Sequence, residues 1–98
     1  KYTVDDVSGN YAYINHGTDI SANMKYSSRI TLNRDGTVSG SVSGKWQLLG
    51  DNQITLTLGG ADYNGVVVKQ YDAGLKKFVM TFTALQKGGN VAVWGSGL

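Results

Sequence analysis

Apolar and polar side chains alternate with a period of two along most of this chain, and the alternation is clearest in residues 77–85. Phe78, Met80 and Phe82 share one parity there, whereas Thr81 has the other. Successive side chains of a pleated strand point to opposite faces, so this pattern predicts a β-strand.

Seven further segments show the same period or are bounded by turn residues in the same way. Asp35-Gly36 and Gly59-Gly60 are dipeptides typical of tight hairpins, and residues 17–25 form the longest irregular connection. Thr18 or Asp19 could cap a single helical turn in that connection, and no other helix is predicted. The predicted strands cover residues 8–16, 26–33, 37–43, a segment through Trp46 and Leu48, 53–58, 61–71, 77–85 and 91–95.

Short strands joined by hairpin-length connections predict an all-β fold. We expect a small antiparallel barrel of eight strands, up-and-down and lipocalin-like, because closure removes the unpaired edges of an open sheet. A small β-sandwich is the alternative. We expect side chains rather than a ligand to fill the barrel. The candidates for this interior are Ile30, Leu32, Trp46, Ile54, Leu56, Phe78, Met80 and Phe82.

The composition agrees with a sheet protein. The 98 residues include 14 Gly, no Pro and seven acidic residues, and every acidic residue is Asp. A helical domain of this size normally uses Glu at exposed positions, so its absence favours strands. We predict one barrel domain over residues 8–98, preceded by a polar lead-in or linker over residues 1–7. The chain opens on Lys1 without Met and reads as a piece of a longer protein.

Charge and residue usage argue against several classes of protein. A formal net charge of +2 from scattered Lys and Arg does not make a nucleic-acid footprint, and no apolar run reaches the length of a membrane span. Without Cys there is no disulfide or thiolate metal site, and one His among dispersed Asp offers no ligand spacing. We therefore predict no cofactor, no metal, no nucleic-acid partner and no membrane partner.

Catalysis by this chain alone is not expected. Glycoside hydrolysis needs two carboxyl groups roughly 5–9 Å apart, and most of the Asp residues here occupy predicted turns. His16 lies three residues before Asp19, so an acid–base pair is one interpretation. We favour the other, in which His16 fastens the loop after the first strand by hydrogen bonds.

Aromatic residues offer the most specific candidate chemistry. Tyr and Trp can stack on the apolar C–H face of a sugar ring while the polar edge makes hydrogen bonds. Packing in the core or at the barrel rim is the alternative for any one of these rings. Tyr71, beside a predicted turn, and Trp94, near the C-terminus, are the two that we expect to reach solvent.

Several segments of the chain form a distinctive combination in their order and spacing. They are Asn15-His16-Gly17-Thr18-Asp19-Ile20, Ile30-Thr31-Leu32-Asn33 with Asp35-Gly36, Val42-Ser43-Gly44-Lys45-Trp46, Gln70-Tyr71-Asp72, residues 78–85 and Ala92-Val93-Trp94-Gly95-Ser96. Together they resemble the small C-terminal β-barrel domain that follows the five-bladed propeller in extracellular endo-α-1,5-L-arabinanases of glycoside hydrolase family 43. The resemblance spans residues 9–96. The chain departs from the family's pattern in carrying Tyr71 and Phe78 where related domains carry Trp.

The resemblance implies a secreted, non-catalytic accessory domain of a polysaccharide-degrading enzyme. Its expected partners are the catalytic domain of the parent enzyme and a plant cell-wall polysaccharide, arabinan or a related hemicellulose. A structural domain that only packs against the catalytic domain is the alternative, and a lipocalin-like ligand or inhibitor barrel is a third. The strand at residues 37–43 and a barrel rim are both candidate binding faces. The candidate carbohydrate-binding residues are Tyr13, Asn15, His16, Asp19, Trp46, Tyr71 and Trp94.

Overall fold

The computed structural model describes residues 1–17 and 28–98, and the strands in them form one closed antiparallel barrel. Each strand pairs with the next, and the last strand returns to the first between Tyr11↔Gly97 and Asn15↔Val93. The strands are β1 Gly9–Asn15, β2 Ser28–Leu32, β3 Thr37–Gly40, β4 Gly44–Leu49, β5 Gln53–Leu58, β6 Ala61–Asp72, β7 Lys77–Gln86 and β8 Ala92–Gly97. The predicted up-and-down barrel is confirmed, and the sandwich alternative is not.

The strand boundaries agree with the alternation except around the third strand. The prediction of one strand over residues 37–43 is wrong, because β3 ends at Gly40 and a bend separates it from β4. Gly40 has a φ of +113°, and a Cβ atom there would lie 2.5 Å from the carbonyl oxygen of Arg29. The first residues of the predicted second strand and the possible turn at Thr18 or Asp19 lie outside the described residues.

One short helix was not predicted. Residues 1–7 were expected to be a lead-in without a helix, but Val4–Val7 form α1, with Thr3 as its N-cap. Its signature was easy to miss, since Asp6 stands where a capping box usually carries Glu or Gln. Val7 is fully buried and its carbonyl oxygen accepts a hydrogen bond from the Tyr11 hydroxyl. The helix therefore covers one end of the barrel, while the domain boundary at residue 8 stays a prediction.

Side chains fill the interior of the barrel, as predicted. Seven of the eight residues predicted to lie there are buried. Phe82 lies among them, 5.2 Å from the Tyr11 ring between centroids. Gly95 faces Phe82 across the β7–β8 ladder and leaves room for its ring. The seven confirmed residues are Ile30, Leu32, Trp46, Ile54, Leu56, Met80 and Phe82.

Phe78 is the exception, and its predicted interior position is wrong. Its partner strands explain why: β5 pairs with β6 only as far as Val66, and β8 pairs with β7 only from Thr81 onwards. The remaining parts of β6 and β7 pair only with each other and project past the barrel as a two-stranded ribbon. Phe78 keeps the parity of Phe82 but lies on this ribbon, outside the core.

The contact between Gly95 and Phe82 predicts a large loss of stability from one added methyl group. In Gly95→Ala the new Cβ atom would lie 2.2 Å from Cε2 of the Phe82 ring. Overpacking of this kind costs about 1–3 kcal/mol, so we expect a loss of that size in the free energy of unfolding, measured by urea denaturation. Gly74→Ala is the control, since its nearest neighbour is the exposed side chain of Asp72 at 3.2 Å. Equal effects of the two substitutions would contradict the packing argument.

Candidate functional site

Two exposed aromatic rings lie at the end of the β6–β7 ribbon. Tyr71 on β6 is 58% exposed and Phe78 on β7 is 65% exposed. The two residues pair directly in the antiparallel register, with ring centroids 5.3 Å apart and ring planes at 75°. Each ring restricts the rotamers of the other, so the pair presents apolar surface to solvent in a largely fixed geometry. We call Tyr71 and Phe78 the aromatic tip.

A cleft of about 180 Å³ adjoins the aromatic tip on the side of Phe78. It lies between the ribbon, the end of α1 and the ends of β1 and β8. Its lining includes the polar residues Lys77, Asp6 and Asn10. An apolar ring next to polar residues is the combination that a sugar requires, with C–H faces for stacking and hydroxyls for hydrogen bonding.

The carboxylate in this cleft is fixed by α1. The backbone N–H of Thr3 donates to Asp6 Oδ2 at 2.9 Å, and the backbone N–H of Asp6 donates to Thr3 Oγ1 at 3.3 Å. The hydrogen bonds from the Thr3 backbone and then from its side chain lower the pKa of Asp6. The charged form is favoured because the hydrogen-bond donors point at the carboxylate.

Two of the predicted aromatic residues lie inside the barrel instead of on its surface. Tyr13 is 4% exposed and Trp46 is 5% exposed. The Trp46 Nε1–H donates to the carbonyl oxygen of Asn33 at 2.7 Å, which satisfies the one polar group of the indole. Neither ring presents a face to solvent, so neither belongs to an exposed stacking surface.

The predicted polar partners do not join the aromatic tip. Asn15 Oδ1 accepts from the backbone N–H of Gly17 at 2.7 Å, and the exposed His16 donates its backbone N–H to the carbonyl oxygen of Ala92 at 2.9 Å. Asn15 pairs with Val93, which pairs with Ala84, so Asn15 lies level with Ala84 on β7. Ala84 is six residues from Phe78 along that strand, which separates Asn15 from Phe78 by about 20 Å. Asp19, the third predicted partner, lies outside the described residues.

Trp94 is exposed, as predicted, but on a different surface. Its side chain is 40% exposed and points outward from β8, between Ile14 on β1 and Thr83 on β7. Tyr71 is thus the one predicted residue at the aromatic tip. Phe78 could have been found from the lengths of the sixth and seventh predicted strands, since strands longer than their neighbours must overhang the barrel.

A larger groove of about 630 Å³ runs along the outside of β4 and β5. Its lining includes Lys45, Gln47 and Arg34, and the Arg34 guanidinium forms an ion pair with Asp5 at 2.6 Å. Among the described residues that line it, the one aromatic residue is the buried Trp46. This groove offers polar contacts without a stacking ring, so the aromatic tip is the stronger candidate for a glycan.

The described part of the chain offers neither a metal site nor a membrane-spanning helix. No group of three or more His, Cys, Asp or Glu side chains there is arranged to hold a metal ion. None of the helical residues described forms a segment long and apolar enough to cross a bilayer.

Comparison with known proteins identifies related chains. The family described as the C-terminal lipocalin-like domain of glycoside hydrolase family 43 matches residues 1–95. An extracellular endo-α-(1→5)-L-arabinanase 2 of Bacillus subtilis is 46% identical over 91 residues, which are 93% of this chain and 19% of that enzyme. An extracellular endo-α-(1→5)-L-arabinanase of Thermotoga petrophila is 40% identical over 99 residues, covering 97% of this chain and 21% of that enzyme.

Solved structures give the same result. The crystal structure of a glycoside hydrolase family 43 protein from Bacillus licheniformis superposes with a TM-score of 0.89 at 46% identity, over 100% of this chain and 22% of that one. The endo-1,5-α-L-arabinanase from Thermotoga petrophila gives 0.85 at 39% identity, also over 100% and 22%. The chain therefore spans about a fifth of the length of its relatives.

The lowered pKa of Asp6 predicts an acid-dependent loss of stability. Because the folded pKa lies below the unfolded value, the carboxylate stabilises the fold above about pH 4, and this contribution is lost as the pH falls through the folded pKa. We expect the midpoint of urea denaturation to fall less steeply between about pH 5 and pH 2 in Asp6→Asn than in the unmodified chain. Asp51→Asn, in an exposed turn, controls for the change in net charge. Parallel pH profiles of Asp6→Asn and the unmodified chain would contradict the assignment.

Proposed function

The chain belongs to the C-terminal lipocalin-like domain family of glycoside hydrolase family 43, and on that basis we propose that it binds polysaccharide for its parent enzyme. It is an accessory domain of a secreted glycoside hydrolase and is separate from the catalytic domain. Its relatives are named arabinanases, so arabinan is the first candidate glycan and related hemicelluloses are the next. The role proposed is to hold the enzyme near its insoluble or branched substrate.

The exposed pair of Tyr71 and Phe78 is the observation that carries this proposal. Rings that are more than half exposed leave apolar surface in water, which is unfavourable unless a ligand covers it. A sugar ring can cover one ring face by stacking, while the cleft beside Phe78 supplies hydrogen-bond partners. The T-shaped contact between the rings is already present without ligand, so binding orders few additional side chains.

The position of the tip suits an accessory role. The ribbon projects past the barrel, so an extended polymer can reach both rings without entering a pocket. A single such contact is weak, but it raises the local concentration of polymer for a catalytic domain in the same chain. Modest affinity is therefore sufficient for the function.

Packing against the catalytic domain is a second proposed role, and a separate observation favours it. Apolar side chains, including Trp94 and Leu85, are exposed on the outside of the barrel, away from the aromatic tip. The two roles use different surfaces and can coexist.

Glycan binding at the aromatic tip predicts the effect of two substitutions. We expect saturable heat when this chain is titrated calorimetrically with arabinan oligosaccharides, with arabinoxylan, xylan and cellulose oligosaccharides as comparisons. Tyr71→Ala and Phe78→Ala each remove one stacking surface and should raise Kd at least about ten-fold, equivalent to about 1.4 kcal/mol. Tyr71→Phe keeps the ring and should retain most of the affinity.

Trp94→Ala is the matched control, since it removes an exposed aromatic ring on another surface. We expect its Kd to stay within about two-fold of that of the unmodified chain, a difference of about 0.4 kcal/mol. Loss of binding in Trp94→Ala with normal binding in the two tip variants would move the site to the outside of β8. Flat titrations with every glycan would refute the glycan-binding role and leave the packing role.

A further inference from the structure

The outside of the barrel is divided into a polar and an apolar half. Outward positions on β2 to β5 are mostly polar or charged, as in Arg29, Lys45 and Gln47. The other half is formed by β6, β7, β8 and β1. The side chains that point outward there, within residues 66–68, 79–85, 92–96 and 12–14 respectively, are all uncharged. We call the exposed and half-buried side chains of this second half the apolar wall. Its members are Ile14, Val66, Val68, Thr83, Leu85 and Trp94.

The strand register makes the apolar wall continuous. Ile14 pairs with Trp94, Trp94 pairs with Thr83, and Thr83 pairs with Val66, so these four residues form one row across four strands. Strands lie about 4.8 Å apart, which makes the row about 14 Å wide. Leu85, on the row beside it, is 63% exposed.

The outward position next to this row on β7 does not add a free polar group to the apolar wall. Thr81 has the outward parity but is buried, and its Oγ1 donates to the carbonyl oxygen of Val68 at 2.9 Å. Four of the six members of the wall are aliphatic, and Trp94 is its single aromatic ring. An uncharged, continuous apolar surface of this kind is typical of the centre of a protein–protein interface.

The length of the related chains and the position of the first residues bear on what covers this surface. The chain matches only about a fifth of each relative, and the family describes it as a C-terminal domain, so a catalytic part four times larger precedes it in those proteins. The first residues of this chain lie at the end of the barrel between the β4–β5 turn and the ribbon, because the Tyr2 hydroxyl accepts a hydrogen bond from the backbone N–H of Lys69 at 3.1 Å and the Tyr2 backbone N–H donates to the carbonyl oxygen of Asp51 at 3.2 Å. Lys69 is the neighbour of Val68 on β6.

We propose that the apolar wall is the surface that docks against the catalytic part of the parent enzyme. This inference rests on the accessory role stated above but not on glycan binding. The aromatic tip faces the other side of the same ribbon, since Tyr71 has the inward parity of Val67 whereas Val68 points outward. Docking through the apolar wall therefore leaves the aromatic tip accessible.

Cysteine modification tests the docking surface, because the chain contains no Cys of its own. Leu85→Cys places a thiol on the apolar wall, and Gln47→Cys places one on the polar half of the barrel. Each is made in this chain alone and in the full-length parent enzyme, and the rate of maleimide modification at that site is followed by peptide mass spectrometry without glycan. We expect modification of Leu85→Cys to be at least ten-fold slower in the parent enzyme, and that of Gln47→Cys to be unchanged within two-fold.

Equal rates for Leu85→Cys in the two contexts would overturn the proposal. A rate that falls with increasing concentration of the isolated chain would also overturn it, since a second copy would then cover the wall. Val66→Cys is the second variant on the wall and should behave like Leu85→Cys. Because no glycan is present, this result and the calorimetric result can fail independently.

Discussion

The barrel depends on the fit of Phe82 against Gly95. A closed sheet of eight strands has an interior just wide enough for side chains to fill, and Phe82 is a large ring that lies fully buried there. It fits because the facing position on β8 carries no side chain. Tyr11 packs on Phe82 and bonds through its hydroxyl to Val7, so the same contact extends to the helix that covers one end of the barrel.

A filled interior restricts where function can reside. The lipocalin-like topology is commonly associated with a ligand inside the barrel, but here aromatic and branched side chains occupy that space. Binding surfaces must then lie on the rim or the outer face. The structure offers both, because β6 and β7 are longer than their neighbours and the outward positions in residues 66–68, 79–85, 92–96 and 12–14 are uncharged.

Much of this could be predicted from alternation alone, and the failures have physical causes. Parity gave the correct face for Ile30, Ile54 and Phe82, because a residue's face depends only on the local pleat. Parity does not show where a strand leaves the barrel, so Phe78 was assigned to the interior. The point at which β6 and β7 leave the barrel depends on where β5 and β8 stop pairing with them, and this information is non-local. Tyr13 was considered for sugar binding and Trp46 both for sugar binding and for the interior, and both are buried, because an aromatic ring suits a core as well as a sugar.

The β6–β7 ribbon links the two proposed surfaces. The inward parity of this ribbon carries Tyr71 and Phe78 beyond the rim. The outward parity of β6 and β7 carries Val68 at the base of the ribbon and, where the strands belong to the barrel, Val66 and Leu85 on the apolar wall. A strand pair exposes both faces only where no core covers it, so lengthening this one hairpin creates an exposed aromatic surface without disturbing the barrel. The same hairpin, held by the docked catalytic part on one side, would present its rings to polymer on the other. Since the two faces share a backbone ladder, their relative orientation is fixed by the hydrogen bonds of the sheet rather than by a flexible linker.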